Sequence, residues 1–293
     1  MDLNGDGNFD ILSGSYSRQD SEMAGLFQVL WGRPDGTFKQ AETLNGTDGK
    51  PLIIPVQGKP GEGEDWIKNI CTRPFAVDWD GDGNLDLVVG NYPGTFYFFK
   101  GEGKGKFAPL PEEMTTGDGA PLKFEGHHSD PFVIDWDGDG DLDILSGSSQ
   151  GGVQWSENRA GKAQPPQLTA FRSLIAGGPA VPYGQIVREA NLNGPVSDTR
   201  IWVDDINGDG KLDLLVGDLA TLISPADKVS AEEFKQKFAD WQKAVSEVSK
   251  DLGTSGDEKQ QREAQQHFQK LYAERSKFMK EDRTGFVWLY LQK

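Results

Sequence analysis

Asp78-Trp79-Asp80-Gly81-Asp82-Gly83-Asn84-Leu85-Asp86 places aspartate at positions 1, 3, 5 and 9 of a nine-residue stretch, with glycine at 4 and 6. The spacing recurs three times. Asp135-Trp136-Asp137-Gly138-Asp139-Gly140-Asp141-Leu142-Asp143 repeats it almost letter for letter. Asp205-Ile206-Asn207-Gly208-Asp209-Gly210-Lys211-Leu212-Asp213 is a third copy, and Asp2-Leu3-Asn4-Gly5-Asp6-Gly7-Asn8-Phe9-Asp10 a fourth, both with asparagine at position 3. Short side-chain oxygens at 1, 3 and 5 converge when the backbone coils around a cation. A hard divalent ion such as Ca²⁺ takes about six to eight oxygens at roughly 2.3–2.6 Å, and glycine at 6 permits the turn that brings in the carbonyl of position 7. Aspartate and glycine also form ordinary solvated turns. Four copies at one spacing argue against that plainer account.

The first half of each copy is shared with the EF-hand loop, which needs a bidentate glutamate at position 12 and flanking helices. Position 12 here is Ser13, Val89, Ser146 or Val216. The loops run into short apolar segments that end on glycine: Ile11-Leu12-Ser13-Gly14, Leu87-Val88-Val89-Gly90, Ile144-Leu145-Ser146-Gly147 and Leu214-Leu215-Val216-Gly217. Phe75-Ala76-Val77, Phe132-Val133-Ile134 and Ile201-Trp202-Val203 precede three of them. Such runs read as buried strands. The unit is therefore strand, acidic loop, strand, and the EF-hand is excluded.

In this arrangement the chain resembles the FG-GAP/VCBS-type repeats of β-propellers, known from integrin α-subunit heads and from secreted bacterial proteins. The resemblance spans residues 1–224 and 284–293; the Phe-Gly and Gly-Ala-Pro signatures of the family are absent from matching places. It implies an all-β fold, a propeller or partial propeller of four-stranded blades, in which the loop joins the first and second strands of a blade. It also implies about four structural Ca²⁺ sites. Their side-chain ligands would be Asp2, Asn4, Asp6 and Asp10; Asp78, Asp80, Asp82 and Asp86; Asp135, Asp137, Asp139 and Asp143; and Asp205, Asn207, Asp209 and Asp213. Asn8, Asn84, Asp141 and Lys211 would contribute backbone oxygens.

Composition sets limits on partners. The net charge of −16 disfavours nucleic acid and anionic lipid. Fifteen of the aspartates lie in the four loops, so bound cations would offset much of that charge. No apolar run approaches the roughly 18 residues of a membrane helix, so no membrane insertion is expected. Cys71 is the single cysteine, which rules out an intramolecular disulfide. No signal peptide is visible. Secretion, or a periplasmic or cell-surface location, is inferred from loops that suit millimolar calcium.

Equivalent aspartates lie 76, 57 and 70 residues apart, a spacing compatible with four-stranded blades with variable loops. Third strands are expected at Leu26–Trp31, Thr95–Lys100, Gly152–Ser156 and Phe286–Leu291, and fourth strands near Thr37–Thr43 and Lys106–Leu110. The first copy lacks a preceding strand, so the expectation is a fragment of a longer propeller or a short, imperfectly closed one, monomeric or part of a longer chain. Residues 1–293 then read as one domain of four repeats, interrupted at 225–283. There a capping box, Ser230-Ala231-Glu232-Glu233, opens a helix with Phe234, Phe238, Trp241, Val245, Val248 and Leu252 on one face. Gly253 stops it, residues 254–257 turn, and Ala264, Phe268, Leu271, Tyr272, Phe278 and Met279 mark a second helix. In a propeller this hairpin would emerge on the face opposite the calcium loops.

The loops leading into the innermost strands hold the notable polar residues: Arg73, His127, His128, Asp130 and Arg200. Aligned lead-in loops would bring Arg73, Asp130 and Arg200 to one axial mouth, where paired arginines suit carboxylate or sulfate groups. Ordinary loop ion pairing is the competing account. Cys71 reads as buried and inert, and no catalytic motif is present. The expected function is a calcium-stabilised extracellular scaffold for protein or carbohydrate binding, such as adhesion. The alternatives are a propeller enzyme (a polysaccharide lyase or hydrolase) with its active site opposite the calcium loops, and a purely structural spacer.

Overall fold

A computed structural model describes residues 1–16, 25–56, 65–162, 164–178, 184–254 and 258–293. The chain is mostly β, with two helices and several sheets. It divides into two compact units, one of residues 1–177, 194–218 and 287–293, the other of 178–193 and 219–286.

The first unit contains the acidic loops. Repeat one supplies β1 (Ile11–Ser13), β2 (Gln28–Leu30) and β3 (Glu42–Thr43), paired in that order. Repeat two supplies β4 (Arg73–Val77), β5 (Asp86–Gly90) and β6 (Phe96–Phe99), then a small ribbon of β7 (Gly101–Gly103) with β8 (Lys106–Phe107), and last β9 (Glu112–Glu113). Its sheet order is β4-β5-β6-β9. Repeat three forms a meander of β10 (Asp130–Ile134), β11 (Asp143–Gly147), β12 (Val153–Ser156) and β13 (Arg172–Ile175). Repeat four pairs β14 (Ser197–Asp204) with β15 (Asp213–Pro225).

In three repeats the acidic loop is thus the turn between the first two strands, in the antiparallel registers Val77↔Asp86 and Ile134↔Asp143 where the pairing is defined. The eight loop glycines at positions 4 and 6 all have φ between 74° and 97°. This left-handed backbone disfavours any residue with a Cβ, which is why both positions are glycine in every copy.

Buried strands follow from sheets covered on both faces. Leu87 and Val89 point into a core shared with Phe27, Val29 and Leu44 of repeat one, while Val88 points into a core shared with Val133 and Ile144 of repeat three. Leu145 and Val153 in turn meet Leu214 and Val216 of repeat four. Period-two alternation thus feeds two cores at once, and β5 and β11 are buried along their whole length. Among the described residues β1 is an edge strand of its sheet, and its Ile11 is exposed.

Successive repeats meet at a glycine. A methyl added to Gly14, Gly90 or Gly147 would overlap the backbone oxygen of Thr72, Ser129 or Thr199 in the next repeat. The hydroxyls of the same three residues accept hydrogen bonds from the backbone N–H just past each glycine: Ser15 to Thr72 at 3.2 Å, Asn91 to Ser129 at 2.8 Å and Ser148 to Thr199 at 2.7 Å. At Gly217 the nearest atom among the described residues is the Arg200 oxygen, at 3.9 Å.

The second unit contains α1 (Ala231–Thr254), α2 (Glu258–Arg275) and β16 (Met279–Thr284); β17 (Val287–Tyr290) returns to the first unit and pairs with the early half of β15. Phe234, Phe238 and Trp241 form the expected helical stripe and pack with Val187, Ile223, Phe278 and Met279. Three boundaries here differ from the sequence reading. β15 continues past Gly217 and pairs with β16, because Ala220 and Ile223 carry the alternation onward into this second core. Helix α2 stops at Arg275, so Phe278 and Met279 reach the core from a turn and a strand. Helix α1 runs through Gly253, and the rest of the expected turn, residues 255–257, lies outside the described residues.

Candidate functional site

Each acidic loop is wound by its own side chains. In the first copy the Asp2 carboxylate accepts the N–H groups of Gly5 (2.8 Å), Asp6 (3.1 Å) and Gly7 (2.8 Å). Gly83, Gly140 and Gly210 donate in the same way to Asp78, Asp135 and Asp205 at 3.0, 3.0 and 2.8 Å. The position-7 residues Asn8, Asn84, Asp141 and Lys211 donate their N–H to the position-5 carboxylates of Asp6, Asp82, Asp139 and Asp209. So held, one carboxylate oxygen from each of Asp78, Asp80 and Asp82 lies within 4.8 Å of the others, and likewise for Asp135, Asp137 and Asp139. In the first and last copies the position-3 amides of Asn4 and Asn207 donate to Asp6 and Asp209, both at 3.2 Å.

Three converging carboxylates repel one another unless a cation sits among them. Asp78 Oδ1 and Asp141 Oδ1 are buried with no hydrogen-bond donor. The Asp137 carboxyl is pushed up by burial and then by Asp139. Asp143 is pushed up to about 7, chiefly by burial and further by Asp137 and Asp141, against hydrogen bonds from Asn158 and Trp136. In the second loop a cation is present as a side chain: the Lys100 ammonium donates to Asp80 and, at 2.5 Å, to Asp82. The oxygen donors, the unsatisfied Asp78 oxygen and this ammonium all fit a hard divalent ion at positions 1, 3 and 5. A metal ion bound at the second loop would have to displace Lys100. Lys100→Met is expected to raise that loop's calcium affinity about fivefold, as for loss of a partly exposed ion pair. Calorimetric titration of both proteins checks this; equal affinities would mean that the ammonium swings away at no cost.

Position 9 has a further task that sequence reasoning missed. Asp10, Asp86, Asp143 and Asp213 are buried, and each accepts two backbone N–H groups. One oxygen takes the N–H of position 2, from Leu3, Trp79, Trp136 or Ile206. The other takes an N–H at the end of the third strand, from Gly32, Gly101, Asn158 or Gln292 at 2.6–3.0 Å. This carboxylate ties the loop to the third strand. Trp136 packs in the core between repeats three and four, and Trp79 against the core between two and three.

The lead-in residues converge in part. Arg73 opens β4, Asp130 opens β10 and Arg200 lies in β14. Asp130 stands between the two guanidiniums, with Arg200 Nε at 3.2 Å from Oδ2 and Arg73 Nη1 at 3.8 Å from Oδ1. Burial pushes the Asp130 carboxyl up against the pull of both arginines. His127 stacks on Tyr92 at 5.1 Å, whereas His128 lines a cavity with Arg73 and Cys71. Burial and the neighbouring Arg73 lower the His128 pKa, and burial raises that of Cys71. Two residues before each charged side chain the backbone is left-handed without glycine, at Cys71 (φ 54°), His128 (φ 64°) and Asp198 (φ 49°). The residue between is the latching Thr72, Ser129 or Thr199. The pattern of a Ser or Thr followed by a charged residue was visible in the sequence as its signal.

Residues 78–146 and 135–216 each match a family model described as an FG-GAP-like repeat. Each match starts at one acidic loop and runs through the next loop to the strand beyond it. No curated protein matches the chain.

Proposed function

The chain is an FG-GAP-type repeat protein, and we propose that it serves as a calcium-stabilised extracellular scaffold that binds a protein or carbohydrate partner. The carrying observation is the pair of three-carboxylate clusters, one with the donorless Asp78 oxygen and a lysine in the cation's place. A β-propeller, whole or partial, is the architecture this reading adopts. The cores shared by successive sheets and the repeated glycine joints support it. Extracellular modules bind calcium at roughly 10⁻⁴–10⁻³ M, which suits loops with few formal charges such as the first and last. No helix among the described residues is long and apolar enough to cross a membrane.

Partner binding is assigned to the lead-in cluster, where Arg73 and Arg200 gather around Asp130 beside a cavity. Binding is favoured over lyase or hydrolase chemistry. The Cys71 thiol is held away from the reactive thiolate, and Asp130 is engaged by two guanidiniums. Calorimetric titration with CaCl₂ tests the scaffold reading. Wild type is expected to bind saturably, and the Asp80→Asn/Asp137→Asn variant to lose the two strongest sites. No binding heat up to about 10 mM, above the weakest extracellular sites, would sink it.

A further inference from the structure

Arg73 is the least satisfied cation near the lead-in cluster. Its side chain is 24% exposed, and among the described residues its Nε is buried without an acceptor and its nearest carboxylate oxygen, on Asp130, lies at 3.8 Å. That is beyond hydrogen-bond reach. A guanidinium carries five N–H donors, and buried donors are nearly always paired. Arg200 is served better: its Nη1 donates to the Thr199 oxygen at 2.8 Å and its Nε faces Asp130 at 3.2 Å. Asp130 therefore belongs mainly to Arg200, which leaves Arg73 short of an oxyanion.

Beside Arg73 lies a cavity of about 370 Å³, lined also by Leu12, Gly14, Tyr16, Cys71 and His128. This falls at the small end of ligand-pocket volumes, which run from roughly 300 to 1,000 Å³. Tyr16 is exposed and offers an aromatic wall, and Leu12 an aliphatic one. His128 is held toward its neutral form by burial and by Arg73, so it can accept as well as donate a hydrogen bond.

We propose that this cavity binds a small carboxylate ligand, with Arg73 gripping the carboxylate and Asp130 acting as the internal competitor that holds the site when it is empty. The planar fork of a guanidinium matches a carboxylate's two oxygens. The proposal deepens the binding reading above by naming the chemistry of the ligand, and rests on that reading's choice of the lead-in cluster.

The test is calorimetric titration with sodium glucuronate, N-acetylglutamate and sodium sulfate in buffer containing calcium. Binding of one or both carboxylates is expected in the range of roughly 1–10 mM, as for a fragment-sized ligand. Glucuronate and N-acetylglutamate separate a sugar-acid source of the carboxylate from a peptide one. Sulfate binding as tightly as both would overturn the carboxylate assignment. Arg73→Gln is expected to weaken binding at least tenfold and Asp130→Asn to strengthen it severalfold. Unchanged affinity in both variants, or no binding of any carboxylate to wild type, overturns the site. Calcium titration of the same variants separates the two readings. Normal calcium binding with no anion binding removes this site alone, whereas anion binding without calcium binding removes the scaffold reading and leaves the site.

Discussion

In EGTA at pH 7.5 the protein is expected to melt about 10 °C lower than in millimolar calcium. A ligand bound only by the folded state contributes RT ln(1 + [L]/Kd), about 2 kcal/mol per site when free calcium is some thirty times Kd. The two three-carboxylate loops together then contribute about 4 kcal/mol, and a domain of this size shifts by roughly 2–4 °C per kcal/mol. The sign of the pH dependence follows from Asp143, whose carboxyl in the metal-free fold is pushed up to about 7 from an ordinary 3.8, first by burial. Between those values the folded state keeps a proton that the unfolded chain has lost. Metal-free stability therefore falls as pH rises through that window. On the proposed reading calcium binds the loop in its ionised form, so its binding weakens as pH falls through the same window. The gap between the calcium and EGTA melts should be wide at pH 7.5 and narrow at pH 5.5. Differential scanning calorimetry in the four conditions measures it, and a gap of zero at pH 7.5 removes calcium from the account of stability.

Much of this architecture was legible because the loop spacing fixes what lies on either side of it. Leu87-Val88-Val89-Gly90 read as a buried strand, and β5 is buried throughout because its two faces serve two cores. The third strands at Phe96–Phe99, Val153–Ser156 and Val287–Tyr290 lie inside their expected segments. The fourth strand of repeat two does not. Lys106 and Phe107 turn back on Gly101–Gly103, and the strand that completes the sheet is Glu112–Glu113. Its two exposed glutamates carry no apolar signal for a pattern to detect.

At the site, what sequence could supply was convergence by alignment. Arg73, Asp130 and Arg200 occupy matching places in three repeats, and the structure brings them together. It could not supply the division of labour among them. Asp130 lies 3.2 Å from Arg200 and 3.8 Å from Arg73, distances that no residue spacing encodes. The same holds for the position-9 aspartates. Their second N–H donors lie 22, 15, 15 and 79 residues further on, so the bond exists only once the third strand is in place.

Gly90→Ala and Gly147→Ala are each expected to cost about 3 kcal/mol, while Gly217→Ala stays within about 1 kcal/mol of wild type. Gly90 and Gly147 end the second strand of their repeats and Gly217 holds the matching place within β15, none of them with a positive φ, so the contrast isolates packing from conformation. A methyl at Gly90 or Gly147 would overlap the backbone oxygen of Ser129 or Thr199, which cannot rotate away as a side chain could. Relief requires separating two sheets, which strips the Asn91 N–H from the Ser129 hydroxyl and the Ser148 N–H from that of Thr199. An unpaired buried N–H costs about 1–3 kcal/mol by itself. At Gly217 the nearest oxygen is 3.9 Å away, an ordinary van der Waals contact, and alanine there even trims the entropy of the unfolded chain. Urea unfolding of the three variants in calcium decides the matter. Wild-type stability in Gly90→Ala and Gly147→Ala would mean that adjacent repeats do not meet at these glycines. A large loss in Gly217→Ala alongside the other two would carry a different message: in solution another backbone covers the fourth repeat, and it uses the same joint that links the first three repeats to their successors.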